Sequence, residues 1–229
     1  MKLNNISHIF FDLDHTLWDF DKNSRLTFQK IFELNEININ LEEFLKVYEP
    51  INLSYWKLYR EEKIDKASLR YKRLSDTFDI LDLEVKSRVI NKLSDEYIIH
   101  LCTYNNLFDG TIEILDYLAP LYELHIITNG FKEVQQGKLN NANIDHYFKT
   151  VTNSEMVGVK KPNPKIFNHA LSLANANIEQ SVMIGDNLEA DVLGALDIGL
   201  EAICFNYHNE NISNGIKFVD NLLELKYYL

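Results

Sequence analysis

Ile9-Phe10-Phe11-Asp12-Leu13-Asp14-His15-Thr16 is the stretch that decides the fold. It opens as an apolar and aromatic run, too short to span a membrane and suited to a buried strand. It closes on two carboxylates two positions apart. Alternate residues of a strand point to one side, so Asp12 and Asp14 are expected to face a common point. Neighbouring carboxylates raise each other's pKa unless positive charge separates them. A divalent cation such as Mg²⁺ removes the conflict, because it takes oxygen ligands and suits phosphate-bearing sites. Asp at a strand end also serves turns and helix N-caps, so the pair needs support from elsewhere in the chain.

Further apolar runs follow. Leu124-His125-Ile126-Ile127 ends in Thr128-Asn129-Gly130, and Val182-Met183-Ile184 ends in Gly185-Asp186. Tyr147 to Thr152 reads as another strand, and Ala202-Ile203-Cys204-Phe205 as the last. Helical patterns alternate with them over 111–119, 131–141, from the N-cap Asn163-Pro164 to Ala174, through Val192, Leu193 and Leu196 to a stop at Gly199, and over 222–226. This alternation predicts an α/β fold: a Rossmann-like open parallel sheet covered on both faces.

One connection is too long. A strand-helix-strand unit takes roughly 30 residues, and the chain from Asp12 to Thr128 far exceeds that. The helix at 111–119 suffices as the crossover. Residues 20–104 are surplus, and their pattern is helical. Phe28, Ile31, Phe32 and Asn35 share one face; Phe44, Val47 and Tyr48 begin a second helix, which Pro50 should break or kink. Asp65 caps a third through Leu69, Leu74 and Phe78. Val85, Val89, Leu93, Tyr97 and Leu101 form the stripe of a fourth. The expected organisation is a core of residues 1–19 and 105–229 with a helical cap domain, 20–104, inserted after the first strand.

The 229 residues are 46% hydrophobic and 25% charged, ordinary for a globular protein. Lys and Arg number 23 against 34 Asp and Glu, a net charge of -11, which argues against a nucleic-acid polymer as partner. Cys102 and Cys204 lack metal-type spacing and suit a reducing cytoplasm. The sequence shows neither a signal-peptide pattern nor a run of transmembrane length, so a cytoplasmic location without a membrane partner is expected. Composition leaves the oligomeric state open.

In open parallel sheets, ligands bind beyond the carboxyl ends of the strands. There the order of elements gathers Asp12/Asp14, Thr128/Asn129, Asp186 and the basic pair of Lys160-Lys161-Pro162. Carboxylates that hold Mg²⁺, with a lysine and a hydroxyl for phosphate oxygens, describe a phosphoryl site.

Asp12-Leu13-Asp14-His15-Thr16, Thr128-Asn129-Gly130, Lys161-Pro162 and Gly185-Asp186-Asn187 with Asp191 resemble, in order and spacing, the four motifs of the haloacid dehalogenase superfamily. Residues 20–104 match the helical cap that some members insert. Asp12 to Phe20, followed by Asn23-Ser24, is similar to the pyrimidine 5′-nucleotidases. The resemblance implies a Mg²⁺-dependent phosphatase of small phosphomonoesters, foremost a pyrimidine nucleoside 5′-monophosphate.

It assigns Asp12 as the nucleophile, ionised at its reference pKa of about 3.9, and Asp14 as general acid/base with its backbone carbonyl on the metal. Asp186 becomes a metal ligand, and Asp191 a ligand or a carboxylate behind one. Thr128 and the Asn129 amide hold phosphate oxygens. Lys161, preferred over Lys160 because it precedes Pro162, neutralises the phosphoryl group and orients Asp12. His15 is expected to be structural and Asn187 an N-cap. Trp18, Phe20 and Asp21 serve either the substrate or a hinge; Tyr55, Trp56 and Tyr59 belong to a core.

Two other readings stand beside this one. The same scaffold serves phosphosugar phosphatases and phosphomutases, of the phosphoglycolate phosphatase and β-phosphoglucomutase kinds; net phosphate release separates a phosphatase from a mutase. A catalytically silent binding protein would not need the full reactive set. A carbon–halogen hydrolase has less use for Asp14, since no alkoxide is protonated.

Overall fold

The computed structural model describes residues 2–212 and 215–229. In chain order the elements begin with β1 (His8–Phe11), α1 (Phe20–Leu34), α2 (Leu41–Arg60), α3 (Lys66–Ile80) and α4 (Ser87–Leu101). Then come α5 (Thr111–Leu118), β2 (Glu123–Thr128), α6 (Lys132–Asn141), β3 (Phe148–Asn153), α7 (Ser154–Val157) and α8 (Pro164–Ala174). The chain continues through β4 (Ser181–Gly185), a π-helical turn (Leu188–Leu193) running into α9 (Gly194–Leu196), β5 (Glu201–Phe205), β6 (Lys217–Val219) and a 3₁₀ segment (Leu222–Tyr227). Two compact units result: residues up to Phe20 together with Asn105–Leu229, and Asp21–Tyr104.

The first unit is built on a six-stranded sheet of order β3-β2-β1-β4-β5-β6, parallel at every pairing. Ile9, Phe10 and Phe11 of β1 are fully buried, as expected of a strand covered on both faces. β1 lies between β2 and β4, where the strand order reverses, so its carboxyl end opens into the crevice such sheets offer to ligands. β6 was not expected. It has three residues, Lys217–Val219, and no apolar run to announce it, yet it pairs with β5. The helix after β4 also differs from the expected one. Its first turn is π-helical, with the Val192 N–H reaching back to the Asn187 carbonyl, and 3.6-residue periodicity cannot distinguish the two.

The second unit packs its helices around aromatic rings. Phe28 is fully buried, with Phe44, Tyr48 and Tyr97 centred 4.6–4.8 Å away. Arg73, also buried, lies 4.8 Å over the Tyr97 ring and donates to Asn52 Oδ1 at 3.0 Å. Asn40 and Asp65 cap α2 and α3 through their side chains. Pro50 lies inside α2 and does not end it, and Val85 precedes α4 rather than joining its stripe. Tyr59 is buried, whereas Tyr55 and Trp56 are half-buried. No helix among the described residues is long and apolar enough to cross a membrane.

At the amino ends of β1 and β2, His8, Glu123 and His125 lie together. His125 is fully buried and its ring stacks 4.7 Å from Phe10. Its nitrogens meet His8 Nδ1 at 3.2 Å and Thr150 Oγ1 at 2.9 Å, so the group is satisfied without a cation. Burial, with His8 alongside, pushes the His125 pKa from 6.5 down to about 4. Between those values the unfolded chain binds a proton that the folded chain refuses, so stability is full above pH 6.5 and falls towards pH 4. His125→Gln is expected to flatten that loss, read as the shift in urea midpoint between about pH 7 and about pH 5. Equal shifts in both proteins would contradict this account of His125.

Candidate active site

β1 stops at Phe11, and Asp12 follows at its carboxyl end with its N–H donating to the Ile184 carbonyl at 2.8 Å. The acid pair is therefore on a loop and not on a strand. The chain turns sharply through His15, whose φ of +63° is left-handed, and Asp14 bridges back to Trp18. Strand alternation consequently does not aim the two carboxylates at one point. Asp12, Asp186 and Asp191 each contribute an oxygen to a cluster within 4.8 Å, and the Asp14 carboxylate is not in it.

Lys161 organises that cluster. The residue is 1% exposed, and its ammonium sits 2.5 Å from Asp12 Oδ1, 2.7 Å from Asp191 Oδ1 and 2.7 Å from the Ile127 carbonyl. It donates hydrogen bonds to Asp12 Oδ1 and to the Ile127 carbonyl, and it meets Asp191 Oδ1 as an ion pair. Lys160 is half-buried, so Lys161 is the lysine at the carboxylates. Asn129 fixes the Lys161 backbone: its Nδ2 donates to the Lys161 carbonyl at 3.0 Å, and its Oδ1 accepts the Lys161 N–H at 2.8 Å. The Asn129 side chain is thus committed to Lys161. Thr128 Oγ1 accepts the Gly130 N–H at 3.0 Å.

Asp186 leaves β4 buried. Thr16 Oγ1 donates to its Oδ1 at 3.1 Å and accepts its backbone N–H at 3.0 Å, while His208 Nε2 lies 3.1 Å from Oδ2. Asp191 comes from the π-helical turn and accepts the Asn187 N–H at 3.1 Å. Gly185 makes room for it, since a Cβ there would lie 2.3 Å from Asp191 Oδ2. Asn187 caps the turn through the Ala190 N–H, as expected.

A family model of haloacid dehalogenase-like hydrolases matches residues 6–199. Pyrimidine 5′-nucleotidase YjjG of Escherichia coli is 32% identical over 209 residues, 91% of this chain and 89% of that protein. A glyceraldehyde 3-phosphate phosphatase of Methanothermobacter thermautotrophicus is 30% identical, covering 95% of this chain and 97% of its own. The HAD-hydrolase YfnB of Bacillus subtilis, whose crystal structure has magnesium bound, superposes with a TM-score of 0.87 at 25% identity, covering 98% of each chain.

The chain belongs to the haloacid dehalogenase-like hydrolases.

The electrostatics of this hydrolase are those of too many acids around one lysine. Burial raises the Asp12 pKa well above its usual value; Lys161 opposes, while Asp191, Asp186 and Asp14 add to the rise. The ordinary carboxylate pKa expected from sequence therefore does not hold for the protein alone. Asp191 is also raised, by burial first, against the pull of Lys161. Burial acts upward on Asp186 too, but the His208 hydrogen bond and the charges of His15, His208 and Lys161 bring it below the usual value. Burial disfavours the Lys161 charge, and Asp12 and Asp191 outweigh it, so the ammonium is held protonated.

Three carboxylates against one ammonium invite a further cation. Oxygens about 2.1 Å from an octahedral Mg²⁺ are about 3 Å apart when adjacent and about 4.2 Å when opposite. The three-acid cluster lies within 4.8 Å and offers only hard oxygen donors, so it fits such an ion.

Asp14 is engaged elsewhere. Lys138 Nζ is 2.5 Å from its Oδ1 and Gln135 Nε2 donates to its Oδ2 at 3.3 Å. Lys138, Gln135, Thr16 and His208 are the residues that sequence reasoning missed. Trp18, fully buried, and Phe20 lie against Lys138, with ring centres 4.3 and 5.4 Å from its nitrogen, which favours packing over substrate contact for both rings.

Removing one partner of a buried ion pair leaves the other charge uncompensated. Lys161→Met is therefore expected to lower unfolding stability by about 3–5 kcal/mol in a urea titration with chelator present. A loss below about 1 kcal/mol would remove Lys161 from the centre of this account.

Proposed function

We propose that the protein is a Mg²⁺-dependent phosphatase of small phosphomonoesters, acting foremost on pyrimidine nucleoside 5′-monophosphates. The observation that carries the reading is the Asp12 carboxylate, bound through one oxygen to a buried lysine and surrounded by Asp186 and Asp191. With Lys161 on Oδ1, the second oxygen of Asp12 is left to attack phosphorus. That attack forms the Asp12–phosphorus bond and breaks the ester bond, and Asp14 gives its proton to the departing alkoxide. Water then attacks phosphorus, Asp14 takes back a proton, and the Asp12–phosphate bond breaks to release inorganic phosphate.

The remaining residues hold charge, the main task in phosphoryl transfer. Thr128 Oγ1 already accepts from Gly130, so its own proton would serve a phosphate oxygen. Since the Asn129 side chain clamps Lys161, its backbone N–H is the amide that serves phosphate. Asp12, Asp186 and the Asp14 backbone carbonyl would hold Mg²⁺, with Asp191 as a ligand or behind one. When bound, the ion neutralises charge on the phosphoryl oxygens and lowers the carboxylate pKa values that burial raises.

The helical unit serves as the cap. Both ends of its insertion are tied together beside Asp14: Trp18 bridges Leu107, and the Asp19 N–H donates to the Asn106 carbonyl at 3.1 Å.

The nucleotide preference draws on YjjG, and the phosphatase relative from Methanothermobacter supplies the competing substrate class. In a panel of phosphate esters, uridine and thymidine monophosphates should exceed glyceraldehyde 3-phosphate and sugar phosphates by about tenfold or more in kcat/KM, and chelation should abolish release. Turnover of sugar phosphates without pyrimidine nucleotides would sink the nucleotide part. Isomerised sugar phosphate without free phosphate would make the protein a mutase. No turnover of any ester would favour the binding protein.

A further inference from the structure

Lys138 is a buried charge that the phosphoryl site does not itself require. It lies on α6, whose inward face carries Val134, Gln135, Lys138 and Leu139. The residue is 1% exposed, and its ammonium faces Asp14 Oδ1 on one side and the rings of Trp18 and Phe20 on the other. Hiding a lysine forfeits its hydration, a loss that an apolar side chain at the same place would avoid. One turn earlier, Gln135 reaches the other oxygen of the same carboxylate. Gly130 leaves the space that Gln135 needs, because a Cβ there would lie 1.9 Å from Gln135 Nε2.

Asp14 sits on a loop with two side-chain torsions to settle. A proton donor displaced by about 1 Å can lose about 10²-fold in rate. Here Lys138 and Gln135 hold one carboxylate oxygen each, from a single helix, which leaves a second lone pair on each oxygen to carry the proton that is delivered, and the aromatic faces confine the ammonium by cation–π contact. Trp18 is itself bridged to Asp14 through the backbone, so the rings, the lysine and the acid form one packed group.

We propose that Lys138 is a positioning residue: with Gln135 it fixes the Asp14 carboxylate for proton delivery to the leaving group. This rests on the reading of Asp14 as general acid. The positioning role acts only where the departing oxygen needs a proton. A nucleoside leaves as a basic alkoxide and needs one; p-nitrophenolate is stable and leaves without.

The test compares kcat/KM, which covers the steps through formation of the Asp12–phosphate bond. It uses the full-length protein with Mg²⁺, on uridine 5′-monophosphate and on p-nitrophenyl phosphate, for wild type, Lys138→Met, Asp14→Asn and the double variant. Lys138→Met is expected to lose about 10²-fold on the nucleotide and less than about fivefold on the aryl ester, whose turnover also reports that the variant is folded. The double variant should lose no more than Asp14→Asn alone, because the lysine acts through the acid. Equal losses on both esters, no loss on either, or multiplying losses in the double variant would overturn the role of Lys138 while leaving Asp14 as the acid. If Asp14→Asn itself lowers both esters alike, the acid reading fails, and the role of Lys138 falls with it.

Discussion

A single ammonium, that of Lys161, is shared among oxygens of Asp12, Ile127 and Asp191, three parts of the chain that meet only in the folded state. Its position is set from behind by the Asn129 side chain, which bonds the Lys161 backbone on both sides. A charge so deeply placed survives only with its counter-charges in contact. Asp12, Asp191 and the end of β2 are therefore held together by one electrostatic requirement, and the rest of the site is arranged around it.

The sheet makes the meeting possible. β1 is flanked by β2 and β4 in parallel register, so Asp12, Thr128 and Asp186 emerge at one rim. Asp191 reaches the same rim because the turn after β4 is π-helical, which widens the backbone where an α-turn would place the residue differently. The acids then outnumber the lysine, and the upward displacement of Asp12 and Asp191 records that excess. The same imbalance that burdens the protein alone suits it to a divalent cation, whose two charges would offset the excess of three carboxylates over one ammonium.

Asp12, Thr128, Lys161 and Asp186 were legible in the sequence because each stands in a short local pattern, an apolar run that stops at a polar group or a lysine before proline. Lys138 and Gln135 were not, because a lysine and a glutamine three apart on a helix read as a solvated face. Only the position of α6 beside Asp14 turns that face inward. His208 lies in the loop after β5, where nothing local marks it as the partner of Asp186. The strand that was expected to carry both acids ends at Phe11, before either of them; Asp12 joins the acid cluster and Asp14 meets α6. The helical nature of 21–104 was legible from its stripes, whereas the passage of α2 through Pro50 was not, since packing around Tyr48 and Phe44 outweighs one missing hydrogen bond.

The most direct test of the central claim is to find the residue that becomes phosphorylated. Protein mixed with radiolabelled nucleoside monophosphate, labelled in the phosphate, and Mg²⁺ would be quenched in acid within one turnover and then digested. A base-labile label is expected on the peptide containing Asp12 and is expected to be absent from Asp12→Asn. Label on any other residue, or turnover that persists in Asp12→Asn, would contradict it.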